Sequence, residues 1–155
     1  MNPIKIVPVT KEEEEFWPSE PLVDLQKPFV DKRGSIQPLV DLMMRSAVLI
    51  ESKAGSLRAN HYHKTDWHYC YVIKGEIDYF YKKLGSKKET EMIKVTKGNM
   101  VFTPPSVEHC MKFPEDTLFL TLSRNPRDQE TYEADVVRVN LVDPSDSISW
   151  KPNDC

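Results

Sequence analysis

Short apolar runs separated by turn residues recur along the chain, and none exceeds ten positions. In order they are KIVPV (5–9), SIQPLV (35–40), SAVLIES (46–52), SLRANHYH (56–63), DWHYCYVIKG (66–75) and EIDYFYK (76–82). TEMIKV (90–95), NMVFTP (99–104), VEHCMKF (107–113), TLFLTLS (117–123) and DVVRVNLV (135–142) follow. Runs this short and evenly spaced predict strands of an antiparallel sandwich or barrel. Turn signals fall where hairpins need them, at Lys74-Gly75, Gly85-Ser86, Lys97-Gly98 and Asn125-Pro126. Twelve prolines spread along the chain argue against long helices. The run Glu12 to Glu15 reads as a solvated face or turn.

Side chains two apart on a strand share a face. In VEHCMKF, Val107, His109, Met111 and Phe113 fall together, so His109 is expected to point with the apolar set into the barrel. His61 and His63 share a face. On the next strand His68, Cys70 and Val72 share one face, and Trp67, Tyr69, Tyr71 and Ile73 the other. A strand apolar on both sides implies two packed sheets or an oligomer contact. Tyr69, Tyr71, Tyr79 and Tyr81 read as core or dimer packing rather than a ligand platform.

The 155 residues suit one domain. Its core barrel is expected over about 29–142, with a peripheral N-terminal segment 1–25 and a polar tail 143–155. A net charge of −3 gives no electrostatic case for nucleic acid or an anionic membrane as partner. No apolar run nears the ~18 residues of a membrane span. The N-terminus has no long apolar stretch of the secretory kind. Three cysteines, Cys70, Cys110 and Cys155, are an odd count without paired spacing. They read as reduced thiols in a cytoplasmic protein. Cys70 reads as a buried inert thiol, and Cys110 alternates away from His109.

The chain's four histidines form one pattern: H-x-H-x4-H at His61, His63 and His68, then His109 behind the Pro104-Pro105 turn. Neutral imidazoles are common ligands of borderline divalent metals. Grouped histidines also serve as general bases. The spacing predicts that at least three of the four meet, and leaves open whether they bind a metal or move a proton.

The residues that carry this pattern resemble the cupin superfamily. Gly55-SLRAN-His61-Y-His63-KTDW-His68-YCYVIK-Gly75 resembles the first cupin motif, G-x5-H-x-H-x4-E-x6-G, with His68 in the glutamate's place. Gly98-NMVFT-Pro104-P-Ser106-VE-His109 resembles the second, G-x5-P-x-G-x2-H, with Ser106 in the glycine's place. The resemblance implies an all-β antiparallel jelly-roll barrel. It also implies His61, His63, His68 and His109 as ligands of one divalent transition metal: zinc, iron, nickel, copper or manganese. A narrower similarity is to cupins that act on nucleotide-linked sugars, the 3,4-ketoisomerases above all. It rests on FVDKRGSIQPLVD (29–41), RANHYHK (58–64), PPSVEHCMKF (104–113) and YEADVVR (132–138). In those enzymes a histidine pair moves a proton without metal and an arginine helps place the substrate. Carried over, His61 and His63 are the acid/base pair if the site is metal-free, with Arg58 beside them. Ala59 departs from the glycine of that segment. Strict alternation turns Arg58 away from His61, so it reaches the site only through a bulge or at the barrel mouth. Arg58 and Lys64 are the candidate substrate contacts.

Three functions are therefore weighed. The first is an isomerase or epimerase of a nucleotide-linked keto-sugar, working as a homodimer on a small-molecule substrate. The second is a metal-dependent, iron-type dioxygenase. The third is a non-enzymatic small-molecule-binding cupin with a structural metal.

Overall fold

Nearly all the apolar runs become strands, and every strand pair is antiparallel. The computed structural model describes residues 6–150. A capped helical turn α1 (Lys11–Glu14) precedes the hairpin β1 (Phe29–Asp31) and β2 (Gly34–Ile36). Then come β3 (Ser46–Ser52), β4 (Leu57–His63), β5 (His68–Lys74), β6 (Glu76–Lys83) and β7 (Glu91–Thr96). β8 (Met100–Thr103), β9 (Val107–Lys112), β10 (Thr117–Ser123), α2 (Gln129–Asp135) and β11 (Val136–Arg138) complete the order. One sheet runs β3-β10-β5-β8 and the other β11-β4-β9-β6-β7. The non-sequential neighbours make this a jelly roll, as expected.

The inner faces of the two sheets enclose Val72, Ile77, Tyr79, Val95, Val101 and Phe119, all at most 1% exposed. Packing of this kind, about 1.5–3 kcal/mol for each large apolar side chain, holds the sheets together. Gly75 makes the tight β5–β6 connection possible. Its φ is +94°, and a Cβ there would meet the Thr117 hydroxyl at 2.4 Å.

The outer face of β5 and β8 is the second apolar surface that the sequence foreshadowed, and the chain covers it itself. Trp67, Tyr69, Met100 and Phe102 are buried there beneath Val9, Trp17, Val23, Leu25 and Leu39. The N-terminal segment is pinned by Arg124, at the end of β10. Arg124 donates to the Glu13 carboxylate at 2.6 Å and to the carbonyls of Val7 and Pro8 at 2.8 and 3.1 Å. The glutamate run is thus not wholly a solvated face: Glu13 turns inward and also closes a capping box with Thr10.

Three runs differ from their predicted extent. In KIVPV, Lys5 lies outside the described residues and 6–9 form no strand. SIQPLV pairs only as far as Ile36, since Pro38 has no N–H to donate. DVVRVNLV gives three strand residues, because Asp135 ends the helix α2, whose N-cap Asp128 accepts from the Thr131 amide. Among the described residues no helix is long and apolar enough to cross a membrane.

Candidate functional site: four histidines at one end of the barrel

The site begins with a break in β4. Ala59 and Asn60 both have φ of +65°, a left-handed conformation that favours glycine, and the β4–β9 register slips between Ala59 and His61. Two such residues cost on the order of 1–3 kcal/mol each. Asn60 offsets part of this with its side chain, which accepts from the Leu141 and Val142 amides at 3.0 and 3.1 Å and donates to the Val142 carbonyl. The slip resolves the alternation problem. Arg58 pairs with Met111 and His61 with His109, so both fall on the inner face. Ser106, the other residue in a glycine's place, also has positive φ, +60°.

β4 supplies His61 and His63, β5 supplies His68 and β9 supplies His109. All four are buried. Ring centroids lie 4.7 Å apart for His61–His63, 4.8 Å for His61–His109, 5.2 Å for His63–His68 and 5.5 Å for His68–His109. His61, His63 and His109 place ring nitrogens within 4.8 Å of one another, and His63, Asp66 and His68 form an overlapping group.

The surroundings fix how these rings present themselves. His63 Nδ1 donates to Asp135 Oδ2 at 3.3 Å, and His109 Nδ1 donates to the Val107 carbonyl at 2.9 Å. His68 Nδ1 lies 3.6 Å from Asp66 Oδ2. For His63 and His109 the partner is an acceptor within hydrogen-bond reach, so Nδ1 donates outward and Nε2 is left to the cavity. Asp135 also accepts from the Thr65 amide and hydroxyl and from the Asp66 amide. Burial raises its pKa, but His63, Thr65 and the Asp66 amide outweigh that and bring it down to about 2. Asp66 in turn accepts from the Asn125 amide at 2.8 Å. Burial, then the neighbouring histidines, hold His61 and His109 far below the usual imidazole value. Burial lowers His68 too, against the pull of Asp66. His61, His68 and His109 are therefore neutral imidazoles, which fits a divalent transition metal and equally fits a base.

The histidines line a cavity of about 850 Å³. Tyr132 stands over them, 6.0 Å from His61 and 5.9 Å from His63 between ring centroids, with the Arg127 guanidinium 3.6 Å from its own ring. Arg58 lines the cavity as well, held by the Ser52 hydroxyl at 2.6 Å and the Glu51 carbonyl at 2.8 Å. Lys64 does not join them: its ammonium sits on the Ala134 carbonyl, exposed, away from the cavity lining. Cys70 lines the cavity, but burial pushes its thiol up to about 12. Tyr79 is core, with its hydroxyl on Thr103 at 2.7 Å. Asp31 and Arg33 of FVDKRGSIQPLVD hold each other in the β1–β2 turn. Asp135, Tyr132 and Asn125 carry no role in the sequence reading. Tyr132 and Asp135 lie in the YEADVVR segment of the ketoisomerase similarity, and their spacing puts both on one side of a short helix.

With this geometry in view, solved structures give the comparison. The sugar 3,4-ketoisomerase QdtA from Thermoanaerobacterium thermosaccharolyticum, in complex with TDP, superposes with a TM-score of 0.62. It is 20% identical, over 77% of this chain and 87% of that one. The chain has the cupin fold. The dTDP-4-dehydrorhamnose 3,5-epimerase from Sulfolobus tokodaii gives 0.65 at 16% identity, over 84% and 91% of the two chains. A 3,4-ketoisomerase from Helicobacter canadensis gives 0.64 at 16% identity, over 77% and 90%. No protein-family model and no curated protein matches the sequence.

Proposed function

We propose that this chain is an isomerase or epimerase of a nucleotide-linked keto-sugar, with His61, His63, His68 and His109 holding one divalent transition metal. The observation that carries the reading is the outward anchoring of Nδ1 on His63 and His109, by Asp135 and the Val107 carbonyl, with His68 Nδ1 facing Asp66 at 3.6 Å. It leaves Nε2 lone pairs for the cavity, the arrangement that orients histidine ligands. Fold likeness to sugar-nucleotide enzymes and arginines around the cavity support the substrate class.

When bound, such a metal polarises a keto oxygen and steadies the negative charge that grows there as the neighbouring carbon loses a proton. The chain's own residues do the rest. Tyr132 is kept protonated by burial, against the pull of Arg127 and Arg138, and its ring stands over those of His61 and His63 as a proton donor. Arg58 and Arg127 place the anionic part of the substrate. Buried walls exclude water from the carbon that exchanges its proton.

A second reading rests on the His63–Asp135 pair. In a metal-free site Asp135 would orient His63 and stabilise its charged form, and His63 Nε2 would take the proton beside the keto group, with His61 adjacent. One experiment separates the two: metal content of tag-free wild type, His68→Ala and His109→Ala, together with deuterium exchange into a TDP-linked 4-keto sugar. About one metal per chain in the wild type, lost in both variants along with exchange, is expected. Exchange by metal-free protein that survives His68→Ala would move the assignment to His63 and Asp135.

A further inference from the structure

The end of the described chain returns to the cavity. Ile148 pairs with the start of β4, its amide donating to the Gly55 carbonyl and its carbonyl accepting from the Leu57 amide, both at 2.9 Å. This clamp sets Trp150 on the cavity wall, with the Arg138 guanidinium 4.8 Å from its ring. Trp17 and Trp67 are packed against one another and Phe102 on the outer face. Trp150 is 55% exposed, so it is covered by Arg138 on one side and open on another. Arg138 stands opposite His61 in the β11–β4 register, which places it between the buried histidines and the indole. Its fork onto Glu133, at 2.8 and 2.9 Å, occupies one N–H of each terminal nitrogen and leaves donors free.

The wall therefore presents, from the inside out, imidazoles, a guanidinium and a flat aromatic face. A nucleoside diphosphate sugar presents a sugar, two phosphates and a flat base in the same order. We infer that Trp150 is the stacking platform for the nucleobase of the substrate, with Arg138 beneath it facing the diphosphate. This rests on the sugar-nucleotide reading and adds to it the residue that holds the base. Stacking on an indole tolerates any base, so Trp150 contributes affinity for the nucleotide more than choice among bases.

The test is calorimetric titration of wild type, Trp150→Ala and Trp150→Phe with TDP and with pyrophosphate, alongside tryptophan fluorescence. TDP binding should weaken about 10-fold in Trp150→Ala and only slightly in Trp150→Phe. Pyrophosphate, which has no base, should bind all three alike. TDP should quench the wild-type fluorescence, and the quench should vanish in Trp150→Phe, since the other two tryptophans lie on the far side of the sheet. Unchanged TDP binding in Trp150→Ala overturns the assignment. So does equal weakening of TDP and pyrophosphate, which would make Trp150 only a brace for Arg138. Failure of wild type to bind TDP, UDP, ADP, GDP or CDP would remove the sugar-nucleotide reading itself, and this assignment with it.

Discussion

His61, His68 and His109 are kept neutral in the fold by burial and by one another, whereas each would titrate near 6.5 in an unfolded chain. The unfolded state then binds more protons below that value. Stability is fully present above pH ~6.5 and falls as pH drops through it. For the metal-free protein, urea midpoints from about pH 7.5 to about pH 5 should decline, with a slope approaching about 1.4 kcal/mol per pH unit for each such histidine. Of the charges that face the cluster, Asp135 is lowered and Arg138 raised, so both keep their state over that window. Asp135, at about 2 in the fold and 3.8 unfolded, adds its own loss only in stronger acid. A flat midpoint across the window would mean that the imidazoles already carry protons in the folded chain. At this scale the histidines were legible because four of them fell into two motifs. Asp135 stood in the YEADVVR segment without a role, because spacing alone does not show that His63, Thr65 and the Asp66 amide gather around it.

At the scale of elements, one departure from regularity shapes the site and another closes the opposite face of the sheet. The bulge at Ala59 and Asn60 carries Arg58 onto the inner face, and a period of two along β4 hides it. The other departure is the N-terminal segment, which closes the outer face of β5 and β8 through a buried guanidinium. Arg124 and Glu13 are 111 residues apart, so no local pattern pairs them. Arg124→Ala would strand the Glu13 carboxylate and the Val7 and Pro8 carbonyls. It should cost about 3 kcal/mol of stability, read from the denaturant midpoint. The strap should also become open to proteolysis near Trp17. A midpoint within error of wild type would show that Trp17 and its neighbours hold the strap unaided.

Over the whole molecule, the β1–β2 hairpin belongs to neither main sheet, and Phe29, Val30 and Ile36 are each at least 60% exposed on it. A two-stranded ribbon is marginal alone in water. The chain is expected to sediment as a homodimer joined through this hairpin, and Val30→Asp to lower the mass to that of one chain. A wild-type monomer at micromolar concentration would end that expectation.

The strand runs, the barrel class and the four histidines were determined by sequence alone. Alternation and motif spacing are local properties, and each strand carries its own. What tertiary structure decided is everything that joins distant segments. It turned Arg58 inward, brought Asp135 behind His63, anchored Glu13 on Arg124 and set Trp150 on the cavity wall. Those contacts depend on where a chain crosses itself, and a register slip or a returning tail leaves no periodic trace. The same reason keeps Lys64 out of the site: it shares a motif with His61 and His63, but its side chain leaves the barrel toward Ala134.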